Sequence, residues 1–198
     1  MNYVKILFII GAVTALFFSE THKATAASDS LVVLTWNICM LPSVIHSNQK
    51  QRANAIADVL QNEKIDIVIF QELFHSGARN IILKKLAEQF PYHFGPGKRG
   101  LFRLNSGVMI LSKYPCIKSK IKRYSATSHF DRLSKKSALF IGIEKNKQCF
   151  QIIGTHLQSQ RHSEKYNIIR KKQLNTISGV FKEYYVHGIQ QILAGDLN

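Results

Sequence analysis

Acidic residues are scarce in this chain: 12 Asp+Glu stand against 27 Lys+Arg over 198 residues, a formal charge of +15. A surface so short of carboxylates favours anionic partners, polyphosphates and anionic lipids among them. Glycine (11) and proline (4) are too few for a collagen-like or low-complexity chain, and no repeat of fixed period occurs. Cysteine is limited to Cys39, Cys116 and Cys149, with no Cys-x-x-Cys or Cys/His spacing that would suggest zinc. A long apolar run is also missing. The longest, Ile6–Phe18, has 13 residues, short of the ~20 that a membrane-spanning helix needs. What is present, 45% hydrophobic and 20% charged residues, is the balance of one folded globular domain.

The first residues follow a different pattern. A cationic start, Met1–Lys5, leads into Ile6–Phe18, then a polar stretch, Ser19–Lys23, and the small-x-small site Ala24-Thr25-Ala26. That order predicts a secretory signal peptide over residues 1–26, cleaved after Ala26 or Ala27, and a secreted or periplasmic domain over 27–198. Cleavage removes Lys5, Lys23 and Glu20 and lowers the charge to +14. Export permits disulfides. Three cysteines leave at least one unpaired within the chain; Cys116 and Cys149 can be paired, or all three can be reduced thiols.

Buried strands are predicted at Leu31–Trp36, Ile65–Phe70, Val108–Ser112, Ala138–Glu144, Cys149–Thr155 and Ile189–Ala194, each a short β-branched or apolar run. The KNKQ segment (145–148) reads as a hairpin between two of them. Ala53, Ile56, Ala57 and Leu60 recur at helical spacing within Lys50–Asn62. A second helix is expected from a Ser76 cap to about Phe90, and a third over Ser163–Tyr185 with Leu174, Ile177, Phe181 and Tyr184 inward. Strands and helices interleave around one hairpin, which predicts an α/β fold with a mixed sheet and flanking helices.

Several predicted strands end in polar residues suited to phosphate or metal chemistry. Trp36 precedes Asn37, Phe70 precedes Gln71-Glu72, Thr155 precedes His156, and Ala194-Gly195 precede Asp196-Leu197-Asn198. Neighbouring strands present such ends along one rim, where ligands commonly bind. A hard divalent cation, Mg²⁺ above all, suits one or two carboxylates completed by waters and substrate phosphate.

In order, TWN (35–37), QE (71–72), SGVMILSKYP (106–115), GTHLQ (154–158) and GDLN (195–198) resemble the endonuclease/exonuclease/phosphatase superfamily of Mg²⁺-dependent phosphodiesterases. WNICMLP (36–42), QELFHSGA (71–78) and GTHLQS (154–159) resemble its secreted neutral sphingomyelinase C branch more than its nuclease branches. DRLSKK (131–136) is similar to the family's Asp-x-x-x-x-Lys segment, with Ser137 where a glycine usually follows.

The resemblance implies a four-layer α/β sandwich of the DNase I-like kind, incomplete at the C-terminal end. It implies that Glu72 is the main Mg²⁺ ligand, with Asn37 beside the metal or phosphate. His156 contacts the phosphate, and Asp196 and Asn198 orient the attacking water, Asn198 also touching phosphate. Asp131 and Lys136 belong to the same patch. The family draws its general base from a Ser-Asp-His segment near its C-terminus, which does not occur up to Asn198, so a shortened form of a longer product is expected.

The implied reaction is hydrolysis of sphingomyelin to ceramide and phosphocholine at a membrane surface. Lys118, Lys120 and Lys122, with Arg170-Lys171-Lys172 and Lys98-Arg99, offer basic faces for anionic lipid. They could equally be solvated faces. The same charge permits two alternatives: a secreted DNase I-like nuclease, and a catalytically dead basic module that binds membranes or nucleic acid.

Overall fold

A computed structural model describes residues 4–9, 30–42, 47–98, 104–159 and 163–198. Apolar residues occupy both parities of the central strands, so both faces of each sheet are covered. In β3 (Ile67–Leu73), Ile67 and Ile69 face the second sheet, while Val68 and Phe70 face helices. In β7 (Ser137–Lys145), Leu139, Ile141 and Ile143 pack between the sheets and Phe140 packs outward.

The first sheet also contains β1 (Val4–Ile9), β2 (Leu31–Met40), β4 (Tyr92–Phe94) and β5 (Met109–Ser112), in the order β1-β2-β3-β5-β4. Its first three strands are parallel, and β5 runs antiparallel to β3 and β4. The second sheet takes the order β6-β7-β8-β9, with β6 (Cys116–Arg123), β8 (Gln148–His156) and β9 (Gln190–Asp196). Here β6, β7 and β8 are antiparallel and β9 lies parallel to β8. Helices α1 (Gln49–Gln61) and α2 (Ser76–Lys85) cover the first sheet, and α3 (Glu164–Glu183) covers the second. The result is the expected four-layer α/β/β/α sandwich.

Several details differ from the sequence reading. Helix α2 begins after His75, whose Nδ1 accepts from the Ala78 amide at 2.9 Å, so His75 rather than Ser76 is the cap. It ends at Lys85, although Leu86 and Phe90 remain buried as expected. On α3, Leu174 is 40% exposed, and the buried stripe is Tyr166, Gln173, Ile177 and Val180. Gln173 can be buried because it donates to the Ala126 carbonyl and accepts from the Gln158 amide, each at 2.8 Å. The hairpin at 145–148 forms, with Asn146 and Lys147 both at positive φ, as a tight two-residue connection requires.

All three cysteines are free thiols. Cys116 lies opposite Ile143 and Cys149 opposite Glu144, so β7 separates them. Two strand spacings exceed the ~7 Å limit for a disulfide. Of the expected leader, residues 4–9 form β1, which pairs with Leu31–Trp36; the cleavage site lies outside the described residues. No helix among the described residues is long and apolar enough to cross a membrane.

At the end of the sandwich where β2 and β3 begin, the buried Asp66 ties the sheets together. Its carboxylate accepts from the Val32 amide (2.9 Å), Lys145 Nζ (2.8 Å) and the Tyr114 hydroxyl (3.0 Å). Asp66→Ala leaves the largely buried Lys145 ammonium with the Ser30 carbonyl but without its counter-charge, and is expected to cost about 3 kcal/mol. Chemical denaturation would record it as a lowered midpoint with unchanged slope. A change under 1 kcal/mol would contradict the clasp.

Candidate active site

The opposite rim, where β2, β3, β8 and β9 end, gathers the polar residues. Parallel pairing of β8 with β9 sets His156 opposite Asp196, and pairing of β2 with β3 sets Asn37 opposite Gln71. Asn37 joins the two sheets: its amide nitrogen donates to Glu72 Oε1 at 3.0 Å and to Asp196 Oδ2 at 2.9 Å. His156 Nε2 stands 3.7 Å from the same Asp196 oxygen. Glu72, Asn37, Asp196 and His156 therefore form one continuous cluster across the rim.

Lys136 is 3% exposed and forms the cationic side of this cluster. Its ammonium lies 3.3 Å from Asp131 Oδ1 and donates to the Leu157 carbonyl. Asp131 is fixed in turn, accepting from the Ser159 amide (2.7 Å) and hydroxyl (2.9 Å). Burial pushes the Lys136 ammonium below its ordinary pKa, against the opposing pull of Asp131, Glu72 and Asp196. Asn198 caps the cluster, its backbone amide donating to Asp196 Oδ1 at 3.1 Å. Every candidate residue thus lies on this rim.

The local backbone is unusual where the chemistry converges. Glu72 lies within β3, not beyond it, and adopts φ 58°; Cys39 (48°) and Asn198 (57°) are also in the left-handed region. Such conformations cost of order 1–3 kcal/mol for a residue with a side chain, and they cluster at functional sites. Gly195 has φ 150°, and a Cβ there would meet the Thr155 carbonyl oxygen at 2.0 Å. Only glycine lets β9 approach β8 closely enough to place Asp196 beside His156.

Three residues that position the rim are not among the site candidates of the sequence, although Gln158 closes the GTHLQ motif. Arg52 on α1 donates to the Cys39 and Ile38 carbonyls at 3.0 and 2.7 Å, holding the bulged end of β2. Gln158 accepts from the Ser128 amide at 2.8 Å, and Gln173 anchors Gln158 from α3. An amphipathic pattern shows which residues face inward, but not which distant carbonyl a buried side chain reaches.

His156 is 4% exposed and its Nδ1 has no partner among the described residues. Burial, then the Lys136 charge, push its pKa down to about 4 against the pull of Asp196 and Asp131. The imidazole is neutral at pH 7, with its unpartnered Nδ1 buried and its Nε2 turned toward Asp196. The unfolded chain takes up this proton near pH 6.5, the folded protein only near 4. Stability is therefore present above pH 6.5 and lost as pH falls through that window, with a slope of up to about 1.4 kcal/mol per pH unit. Denaturation midpoints between pH 7 and 4 in EDTA should show this slope, and His156→Gln should flatten it.

The donor set suits a hard cation. Two carboxylates, Glu72 and Asp196, lie within reach of one carboxamide, and no soft ligand cage surrounds them. Among the described residues no group of three or more His, Cys, Asp or Glu is placed to enclose a metal. Mg²⁺ fits such a partial site, since it retains waters and takes substrate phosphate as ligand.

The sequence profile described as Endonuclease/Exonuclease/phosphatase family matches residues 34–198. A phospholipase C of Staphylococcus aureus is 31% identical over 217 aligned residues, covering 97% of this chain and 63% of that protein. Sphingomyelinase C 1 of Leptospira interrogans is 30% identical, covering 89% of this chain and 33% of its own length. Among solved structures, a beta toxin from Staphylococcus aureus with bound magnesium ions superposes with a TM-score of 0.77 at 27% identity, covering 84% of this chain and 64% of that one. The chain thus spans less than two thirds of the length of these relatives.

Proposed function

Because the chain belongs to the endonuclease/exonuclease/phosphatase family, we propose that it is a Mg²⁺-dependent phosphodiesterase of the sphingomyelinase C type. The observation that carries this reading is the Asn37 bridge, which draws Glu72 and Asp196 from two different sheets to the flank of a neutral, buried His156. Glu72, with Asn37 beside it, would hold the cation. When bound, a divalent cation polarises the phosphoryl oxygens and relieves charge on the leaving oxygen.

The chain's own residues supply the remainder. His156, whose Nε2 faces Asp196, would contact a non-bridging phosphate oxygen, and Lys136 adds fixed positive charge beside it. Asp196 and Asn198 orient the attacking water, with Asn198 tethered to Asp196. His156 and Lys136 are buried, where preorganised charge stabilises a phosphoryl transition state more than it would in water.

The similarity to sphingomyelinases C and a phospholipase C supports a phosphocholine diester as substrate. The amino-terminal segment supports export, with a mature chain beginning at Ala27 or Ser28, which N-terminal sequencing of exported protein would read. The deciding assay incubates the protein with sphingomyelin liposomes and, separately, with plasmid DNA, each with Mg²⁺ and with EDTA. Phosphocholine release that requires Mg²⁺ is expected. Nicking of DNA without lipid turnover would transfer the reading to a nuclease, and no turnover of either would reduce the chain to a binding module.

A further inference from the structure

A cavity of about 370 Å³ opens between the end of β6, the segment after it and the 3-10 turn His129–Leu133. Arg123, Arg132, Lys135 and Lys136 line it, with Ser125, Thr127 and Ser134 contributing to the wall, and no carboxylate among the described residues does. Asp131, next to Arg132 in the chain, is already engaged by Lys136 and Ser159. Arg123 and Arg132 are exposed, and neither has an ion-pair partner among the described residues. Lys136 is compensated by Asp131, but Arg123, Arg132 and Lys135 repel one another unless a counter-charge sits between them.

We propose that this cavity binds a phosphate group as an anion site beside the reaction centre, its occupant being the head group of an anionic phospholipid or free phosphate. Guanidinium groups match phosphate oxygens bidentately, and the hydroxyls can complete the shell. The volume falls in the small-ligand range. The site is distinct from one for a zwitterionic head group: among the described residues its wall offers no carboxylate, and the one aromatic among them, Tyr124, is 8% exposed with its hydroxyl bonded to Thr155. A quaternary ammonium would be repelled. Lys136 is common to the cavity and to the catalytic cluster, so an anionic lipid held here would seat the protein with its reaction centre toward the membrane.

The test measures binding, not turnover, so it stands or falls apart from the hydrolase reading. Sedimentation is compared on phosphatidylcholine vesicles with and without phosphatidylglycerol, using wild type, Arg123→Glu/Arg132→Glu, Arg123→Gln/Arg132→Gln, and a control. The control, Lys171→Glu/Lys172→Glu, makes the same net charge change as the double glutamate variant, twice that of the double glutamine variant, at exposed positions on α3. Inorganic phosphate is titrated into each protein at constant ionic strength. Phosphatidylglycerol-dependent binding should fall about tenfold or more in both arginine variants and much less in the control. Losses with vesicles identify the lipid head group as occupant; losses confined to inorganic phosphate identify the free anion. An equal loss in the control, or wild-type behaviour of both arginine variants in both arms, would overturn the site.

Discussion

Glu72→Gln is expected to lower Mg²⁺-dependent phosphodiester hydrolysis by about 10³-fold or more, chiefly in kcat, with the fold retained. The side chain keeps its length and an oxygen able to accept from Asn37, and Asn37 retains Asp196 as its second acceptor. The positive φ at residue 72 is a backbone property that the substitution leaves in place. What disappears is the charge that would hold the cation. Two measurements separate this from a general loss of structure. Mg²⁺ should raise the melting temperature of the wild type by linkage but not that of the variant, and the metal-free melting temperatures should be similar. Undiminished turnover in the variant would remove Glu72 from the metal site.

Lys136→Met should have the second largest effect, a fall of about 10²–10³ in activity with little or no loss of stability. Truncating one member of a buried ion pair usually leaves the other charge stranded. Here Asp131 keeps the Ser159 amide and hydroxyl, while the removed ammonium is one that burial already disfavours. The variant also makes an electrostatic prediction that a merely structural lysine would not. Lys136 is the second cause, after burial, of the depressed His156 pKa, so its removal should let the imidazole titrate higher than about 4. Ring-proton NMR across an acid titration would follow this. An unchanged or lower value would show that Lys136 does not act on His156.

The two substitutions report on different halves of the cluster. Glu72 comes from the first sheet and Lys136 leads directly into β7 of the second, and Asn37 and Asp196 are the contact between the sheets. The Asp66 clasp holds the same two sheets at the far end of the sandwich. Its loss should weaken stability before it alters the chemistry, which makes Asp66→Ala a control for both.

Much of this arrangement was legible in the order of the residues. Strands buried on both faces need apolar residues at consecutive positions, and IVIF and ALFIGI announce such strands without a partner in view. The polar ends Asn37, Glu72, His156 and Asp196 stood out because each interrupts such a run. Less legible were features that depend on a distant partner. His75 caps α2 in place of Ser76 because its ring reaches back to the Ala78 amide. Gln173 is buried and Leu174 exposed because a carboxamide on α3 meets Gln158 and Ala126 across the layer boundary. The basic cavity joins the end of β6 to residues near the start of β7, a union visible only once those segments pack.

The amino-acid order alone determined the buried central strands, the three helices, the cationic surface and the cast of polar residues, because burial and periodicity are local properties of a chain. The edge strands β1, β4 and β6 emerged only in the folded sheets. Tertiary structure decided that residues as distant in sequence as Asn37 and Asp196 meet at 2.9 Å, that His156 stays neutral, and that four cations share a cavity. Those outcomes are set by distance, desolvation and mutual fields, quantities that exist only after the sheets have closed on one another.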